Sequence, residues 1–217
     1  MRKIFGHRGL PRIYKENTFS GINKAFEYCD FVEIDVRITK DNQLVLFHDP
    51  NIGEDLIKDL TLAELDILLK NESLEDCLLV SRDQIQGKSN FEIKTNTLDD
   101  SKIDILFQKM LSILEPHDII SSFNWKAIQS FKELFNCSYG IIFDKEEELF
   151  QAQSLSNHDE ELFFMVHHTL IDSRNFDLPK NKTVLWTVND EIDFLRYMEM
   201  EIYGIVTDIP DTMQLYR

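Results

Sequence analysis

Phe31-Val32-Glu33-Ile34-Asp35-Val36 is the stretch on which the fold turns. It is short and nearly continuous in apolar character, as a strand buried on both faces should be. Residues i and i+2 of a strand share a face, so Glu33 and Asp35 point the same way, flanked by Val32, Ile34 and Val36. Two carboxylates on one face of such a strand need a physical reason, which the rest of the chain supplies.

Runs of the same kind recur at Lys3–Gly6, Asn90–Lys94, Ile119–Ser122, Tyr139–Phe143, Leu162–His167, Thr183–Val188 and Tyr203–Thr207. Helical periodicity fills the gaps. Phe19, Ile22, Phe26 and Cys29 fall on one face, and Ile103, Leu106, Phe107, Met110, Leu111 and Leu114 on another. Thr61-Leu62-Ala63-Glu64 reads as a capping box opening a helix, and the acidic run Asp144–Glu148 suits a helix N-terminus. Glu191–Met200 predicts a further helix with Ile192, Leu195 and Met198 inward. Strand and helix alternating about eight times predict an α/β fold, a compact (β/α)8 TIM barrel. There is no G-x-G-x-x-G or Walker A sequence to favour an open, doubly wound sheet. Leu44–Phe47, preceded by turn residues Lys40–Gln43, predicts a small hairpin excursion after the second strand. No linker or large insertion interrupts the chain, so residues 1–217 are expected to form a single domain.

Composition narrows the partners. Acidic residues outnumber basic ones 39 to 23, a formal charge of −16. Such a surface repels nucleic acid and anionic lipid. No apolar stretch approaches the ~18 residues of a membrane span, and none follows Arg2-Lys3 as a leader would require. A cytoplasmic protein without stable membrane association is expected. Cys29, Cys77 and Cys137 form no CxxC pair and are expected to be reduced, mostly buried thiols.

The ionisable residues collect at the C-terminal ends of the predicted strands, where barrels of this kind carry their active sites. His7-Arg8 follows the first strand, Glu33 and Asp35 close the second, His48-Asp49 follows the excursion, and Glu92 and Lys94 share a face at the end of the third. Three converging carboxylates, Glu33, Asp35 and Glu92, call for a cation, and hard oxygens suit Mg²⁺ or Ca²⁺ better than zinc. His7 and His48 fit an acid–base pair, while Arg8 and Lys94 are cations suited to phosphate. Together these groups describe a phosphoryl-transfer site. Elsewhere the readings are plainer. Asn17-Thr18 can orient a metal ligand or cap the next helix, and the cap is favoured. At most one of His167 and His168 enters the mouth. His117 and His158 are expected at the surface.

The same residues form a family signature. Gly6-His7-Arg8-Gly9, Glu16-Asn17-Thr18, Glu33-Ile34-Asp35-Val36, Thr39-Lys40-Asp41 and His48-Asp49 occur in that order. Phe91-Glu92-Ile93-Lys94, Ser122-Phe123, Trp186-Thr187-Val188-Asn189 and Thr207-Asp208-Ile209-Pro210 follow. In these motifs the chain resembles the glycerophosphodiester phosphodiesterase family from its sixth residue to about its 210th. The resemblance implies a (β/α)8 barrel, one divalent cation, and hydrolysis of a small-molecule glycerophosphodiester to sn-glycerol 3-phosphate and an alcohol. It implies catalytic roles for His7 and His48, metal ligation by Glu33, Asp35 and Glu92, phosphate contacts from Arg8 and Lys94, and an aromatic wall at Trp186. Two departures stand out. Lys15 replaces the usual Pro before Glu-Asn-Thr, and Asn71–Asp76 stands in for a Pro-Thr-Leu-x-Glu motif. The nucleophile is either water or the neighbouring glycerol hydroxyl. A lipid-directed phosphodiesterase of lysophospholipase D or phospholipase type on the same barrel is the alternative. A non-catalytic glycerophosphodiester-binding protein is a third reading.

Overall fold

A computed structural model describes residues 2–69, 73–156, 159–173 and 176–217. His158 and the first two residues of Asn71–Asp76 lie outside the described residues. The strands, in chain order, are β1 (Lys3–Gly6), β2 (Phe31–Ile38), β3 (Leu44–Leu46), β4 (Asn51–Ile52), β5 (Asp55–Leu56), β6 (Leu78–Leu79), β7 (Ser89–Ile93), β8 (Ile119–Ser122), β9 (Ser138–Phe143), β10 (Leu162–His167), β11 (Thr183–Trp186) and β12 (Gly204–Thr207). The α-helices are α1 (Phe19–Ala25), α2 (Leu62–Leu69), α3 (Asp100–Met110), α4 (Trp125–Phe131), α5 (Glu146–Ser156), α6 (Glu191–Met198) and α7 (Pro210–Met213).

Eight of the strands form a parallel barrel in the order β1, β2, β7, β8, β9, β10, β11, β12, and β1 closes it by pairing with both β2 and β12. The expected excursion is present: β3 runs antiparallel to β2, with Val36 opposite Leu46, and β6 extends it. β4 and β5 make a separate small hairpin.

The strand interiors follow the period of two. Phe5, Phe31, Ile119, Ile142, Phe163, Met165, Val184 and Val206 form one apolar cluster inside the barrel. Two residues further along β2, β10 and β11 the same inward rows reach Glu33, His167 and Trp186. Apolar packing therefore fills one end of the barrel and sets the register that brings polar groups to the other.

The helices pack their apolar faces onto the outside. Side-chain caps start several of them: Thr18 accepts from Gly21 N–H, Asp99 from Lys102, Asn124 from Ala127 and Asp190 from Asp193. Each such cap is worth about 1 kcal/mol. Thr61 and Glu64 bond reciprocally at the start of α2, as the capping box requires. Helix α6 corrects the sequence reading for Ile192 and Leu195, while Met198 packs against the core as expected. Phe194 and Tyr197 are its buried residues, whereas Ile192 is 78% exposed and Leu195 44%. The two larger aromatic side chains, three residues apart, seat the helix and turn the aliphatic pair outward. Among the described residues no helix is long and apolar enough to cross a membrane.

Candidate active site

The barrel mouth is built from adjacent strand ends. Parallel pairing of β2 with β7 sets Asp35 beside Glu92, and pairing of β1 with β12 sets Gly6 beside Thr207. One residue beyond that last pair, His7 and Asp208 meet, with Nδ1 of His7 at 2.6 Å from Oδ1 of Asp208. Nε2 of His7 lies 3.9 Å from Glu33. Asn189 donates to the other Asp208 oxygen at 2.6 Å. Its own amide oxygen accepts from Asp208 N–H and from the Thr207 hydroxyl, so its orientation is fixed.

Between β1 and α1 the chain turns sharply. Arg8 and Gly9 both have positive φ, at 54° and 96°. A Cβ on Gly9 would lie 2.9 Å from backbone atoms of Gly21 and Ile22, so α1 packs this closely only against glycine. The turn aims Arg8 N–H at Glu33 Oε2, 3.0 Å away. The Arg8 guanidinium bridges Glu16, at 3.1 Å, and Asp35, at 3.3 Å. Asn17, also left-handed with φ 55°, clamps Asp35 from both sides. Its amide nitrogen donates to Asp35 Oδ2 at 2.7 Å and its oxygen accepts Asp35 N–H at 2.9 Å. The two readings of Asn17-Thr18 thus divide between neighbours: Thr18 caps α1 and Asn17 orients Asp35.

Glu33, Asp35 and Glu92 each bring a carboxylate oxygen within 4.8 Å of the others. Lys94 sits 2.8 Å from Asp35 and also bonds Glu92. Burial, reinforced by repulsion from Asp35 and Glu92, pushes the Glu33 carboxyl well above its ordinary range. Burial raises Glu92 as well, with Lys94 opposing and Asp35 reinforcing the shift. Burial would also raise Asp35, but Lys94 and Arg8 outweigh it and hold that carboxyl low. Glu33 Oε1 is buried without a protein partner. A hard divalent cation about 2.1–2.5 Å from each ligand needs oxygens no more than about 4–5 Å apart. The spacing and the orphaned oxygen meet that requirement.

His48 stands at the edge of the excursion. Its Nδ1 is 2.9 Å from Asp49 Oδ1, and its carbonyl is held by two nitrogens of the buried Arg37, one at 3.0 Å. The remaining Arg37 nitrogen donates to Asn96 at 3.1 Å. Burial, aided by the Lys94 ammonium, lowers the pKa of His48, which favours the neutral ring near pH 7. His48 lines a cavity of about 320 Å³ with Glu92, Lys94 and Phe123. Trp186 packs edge-on against Phe123 at 5.7 Å and against His167 at 5.1 Å. His168 turns to Tyr197 on α6, with 3.3 Å between Nδ1 and the hydroxyl, so the adjacent histidines divide as strand alternation requires. His117 is a surface group bonded to Glu115. Cys77 and Cys137 are buried and Cys29 is partly buried, and burial pushes the Cys29 and Cys137 thiols up to about 12.

The sequence reading assigned no role to Arg37, Asn189 or Asp208. Asp208 carried a signal, because it follows the strand that pairs with the strand before His7. Arg37 continues the Glu33–Asp35 face of β2, but its partner, a backbone carbonyl on another loop, leaves no mark in the sequence.

Residues 7–212 match the Glycerophosphoryl diester phosphodiesterase family. The chain is 26% identical to a glycerophosphodiester phosphodiesterase of Caldanaerobacter subterraneus, over 97% of this chain and 95% of that protein. It is 24% identical to one from Bacillus altitudinis, over 97% and 96%. The crystal structure of the Thermotoga maritima glycerophosphodiester phosphodiesterase superposes with a TM-score of 0.74 at 25% identity, covering 100% of this chain and 99% of the other. An Oleispira antarctica phosphodiesterase solved with its product sn-glycerol-3-phosphate shares the fold, at TM-score 0.75 and 20% identity over 100% and 96%. With nearly its whole length matched, the chain belongs to the glycerophosphoryl diester phosphodiesterase family.

Proposed function

We propose that the protein hydrolyses glycerophosphodiesters to sn-glycerol 3-phosphate and an alcohol, with a divalent cation, Mg²⁺ or Ca²⁺, on Glu33, Asp35 and Glu92. The observation that carries this reading is the convergence of those carboxylates with Arg8 and Lys94, beside a histidine whose far nitrogen is fixed by Asp208. When bound, the cation would supply Lewis-acid polarisation of a phosphoryl oxygen.

The remaining work falls to the chain. Asp208 fixes the His7 tautomer and stabilises the imidazolium that forms when His7 holds a proton. His48, oriented through Asp49 and through Arg37 on its carbonyl, is the second proton-transferring group. One histidine takes a proton from the nucleophile and the other gives one to the departing alcohol. Arg8 and Lys94 sit where negative charge grows on the phosphoryl group. Trp186 and Phe123 form the wall against which the glycerol carbons lie.

The test is release of sn-glycerol 3-phosphate from a panel of glycerophosphodiesters, with EDTA and then Mg²⁺, Ca²⁺ or Mn²⁺ restored. His7→Ala and His48→Ala are expected to lower kcat by ~10²–10⁴-fold. Near-wild-type turnover in either variant would overturn that histidine's role, and full activity in EDTA would remove the cation from the reading.

A further inference from the structure

His48 belongs to two cavities. The smaller, of about 320 Å³, holds Glu92 and Lys94, which the proposed function places on the phosphate side. The larger, of about 750 Å³, lies between the turn before α1 and the excursion. Among the described residues, His48 is the lining residue the two cavities share. A diester has two halves joined at phosphorus, so a proton-transferring group at such a junction stands where the halves meet.

The larger cavity has the volume of a small-molecule site. Its charged lining residues are engaged with neighbours. Glu16 bonds Arg8, Asp49 bonds His48, and Asp76 accepts the Ser20 hydroxyl at 2.8 Å. The Lys15 ammonium lies 5.8 Å from the centre of the Phe47 ring. Leu46 and Leu69 are buried in the wall, and Phe47, Ile52 and Leu68 complete an apolar lining. Alongside these charged groups, the alkyl carbons of a leaving alcohol would find matching surface on Leu46, Phe47, Ile52, Leu68 and Leu69.

We propose that this cavity is the leaving-alcohol site and that it takes an alcohol with an extended apolar body. The proposal rests on the phosphodiesterase reading above. In the overall reaction water adds across the phosphorus–alcohol bond. Its hydroxyl oxygen stays on phosphorus, the departing oxygen keeps the electron pair of the broken bond, and the alcohol gains a proton. The departing alcohol then occupies the space behind His48.

The probes are sn-glycerol 3-phosphate esters of ethanol, butanol, hexanol and octanol, used below any micelle concentration. These alcohols differ little in acidity, so the series isolates binding of the chain. We expect kcat/KM to rise about two- to fourfold per methylene until the cavity is filled, as burial of each CH₂ predicts. Ile52→Asp and Leu68→Asp, tested separately with thermal melts as folding controls, are expected to bring the increment per methylene close to one. A flat series with measurable turnover overturns the assignment of this cavity and leaves the phosphodiesterase reading intact. No turnover of any member overturns that reading itself. A chain-length preference that survives both substitutions places the alcohol elsewhere.

Discussion

Replacing Asp208 by Asn tests the coupling of His7 to its neighbour with almost no change in shape. Asn189 is locked by two bonds to its oxygen, so its amide nitrogen must point at residue 208. An Asn at 208 therefore turns its oxygen to Asn189 and its NH₂ to His7. His7 must then accept at Nδ1 and carry its proton on Nε2, the nitrogen nearer Glu33. As a base, such a ring has its lone pair on the wrong side. As an acid, it has lost the charge-assisted bond that stabilised the imidazolium, worth about 1.5–3 kcal/mol or roughly 10–150-fold in rate. An Asp→Asn change behind a catalytic histidine reaches ~10⁴-fold where tautomer and charge both fail, as in the serine-protease triad. We expect kcat/KM for sn-glycerol 3-phosphate release to fall between these limits, with a melting temperature close to wild type because the packing is unchanged. A well-folded Asp208→Asn enzyme within threefold of wild-type kcat/KM would show that Asp208 does not set the His7 tautomer for catalysis.

Other perturbations probe the supports of the site. Arg37→Gln frees the His48 carbonyl and should lower kcat about tenfold or more with a smaller change in KM; equal changes in the two would argue against a positioning role. Leaving that partly buried carbonyl unpaired should also cost about 1 kcal/mol in denaturant melts. Asn17→Ala loses both bonds to Asp35 and forces a Cβ-bearing residue without Asn's local bonding into a left-handed backbone, so a loss of about 3 kcal/mol is expected. Asn17→Gly should recover about 1 kcal/mol of that by relieving the backbone, and equal stability of the two variants would contradict the strain argument. Far from the mouth, Asp30 joins Lys3, Ile4 N–H and Arg217. Burial would raise its carboxyl, but the bonds led by Arg217 outweigh it and hold the pKa low. The folded pKa thus lies below the unfolded value of about 3.9, so this stabilisation is complete above that pH and is lost as pH falls through the folded value. Asp30→Asn should flatten the acid side of a melting-temperature profile, and an unchanged profile would dismiss the contact.

What the sequence made legible follows from how local each signal is. The barrel strands are short, continuous apolar runs, and all eight expected runs end within two residues of the observed strands, as Lys3–Gly6 and Leu162–His167 illustrate. Glu33 with Asp35, and Glu92 with Lys94, were readable because a strand's period fixes their common face. The α6 face was not, because Ile192 and Leu195 have the same helical spacing as Phe194 and Tyr197, and only the sheet beneath decides which pair is buried. Asp208 reaches His7 across strand ends separated by most of the chain, and Asn189 acts through Asp208, so the β1–β12 register had to be known before either role could be read. Arg37 lies on the same strand face as Glu33 and Asp35 but works through a backbone carbonyl, which leaves no mark in residue identity.

The charge of −16 looks hostile to an anionic substrate, and the mouth does not relieve it by itself. Arg8 is shared between Glu16 and Asp35, and Lys94 between Asp35 and Glu92. Set against Glu33, Asp35 and Glu92 in their ionised, cation-binding forms, these two cations leave one net negative charge. A divalent cation on the three carboxylates reverses that sign. At an effective dielectric of about 20, a unit charge 4 Å away is worth about 4 kcal/mol, enough to decide whether a phosphate stays. Cation and phosphate must therefore bind with positive coupling, and linkage makes the effect reciprocal. Titration of sn-glycerol 3-phosphate by calorimetry should show affinity at least tenfold higher with saturating Mg²⁺ or Ca²⁺ than in EDTA, and the phosphate should tighten cation binding by the same factor. Equal affinity in EDTA would mean that Arg8 and Lys94 suffice alone, and that their ion pairs open when the phosphate arrives.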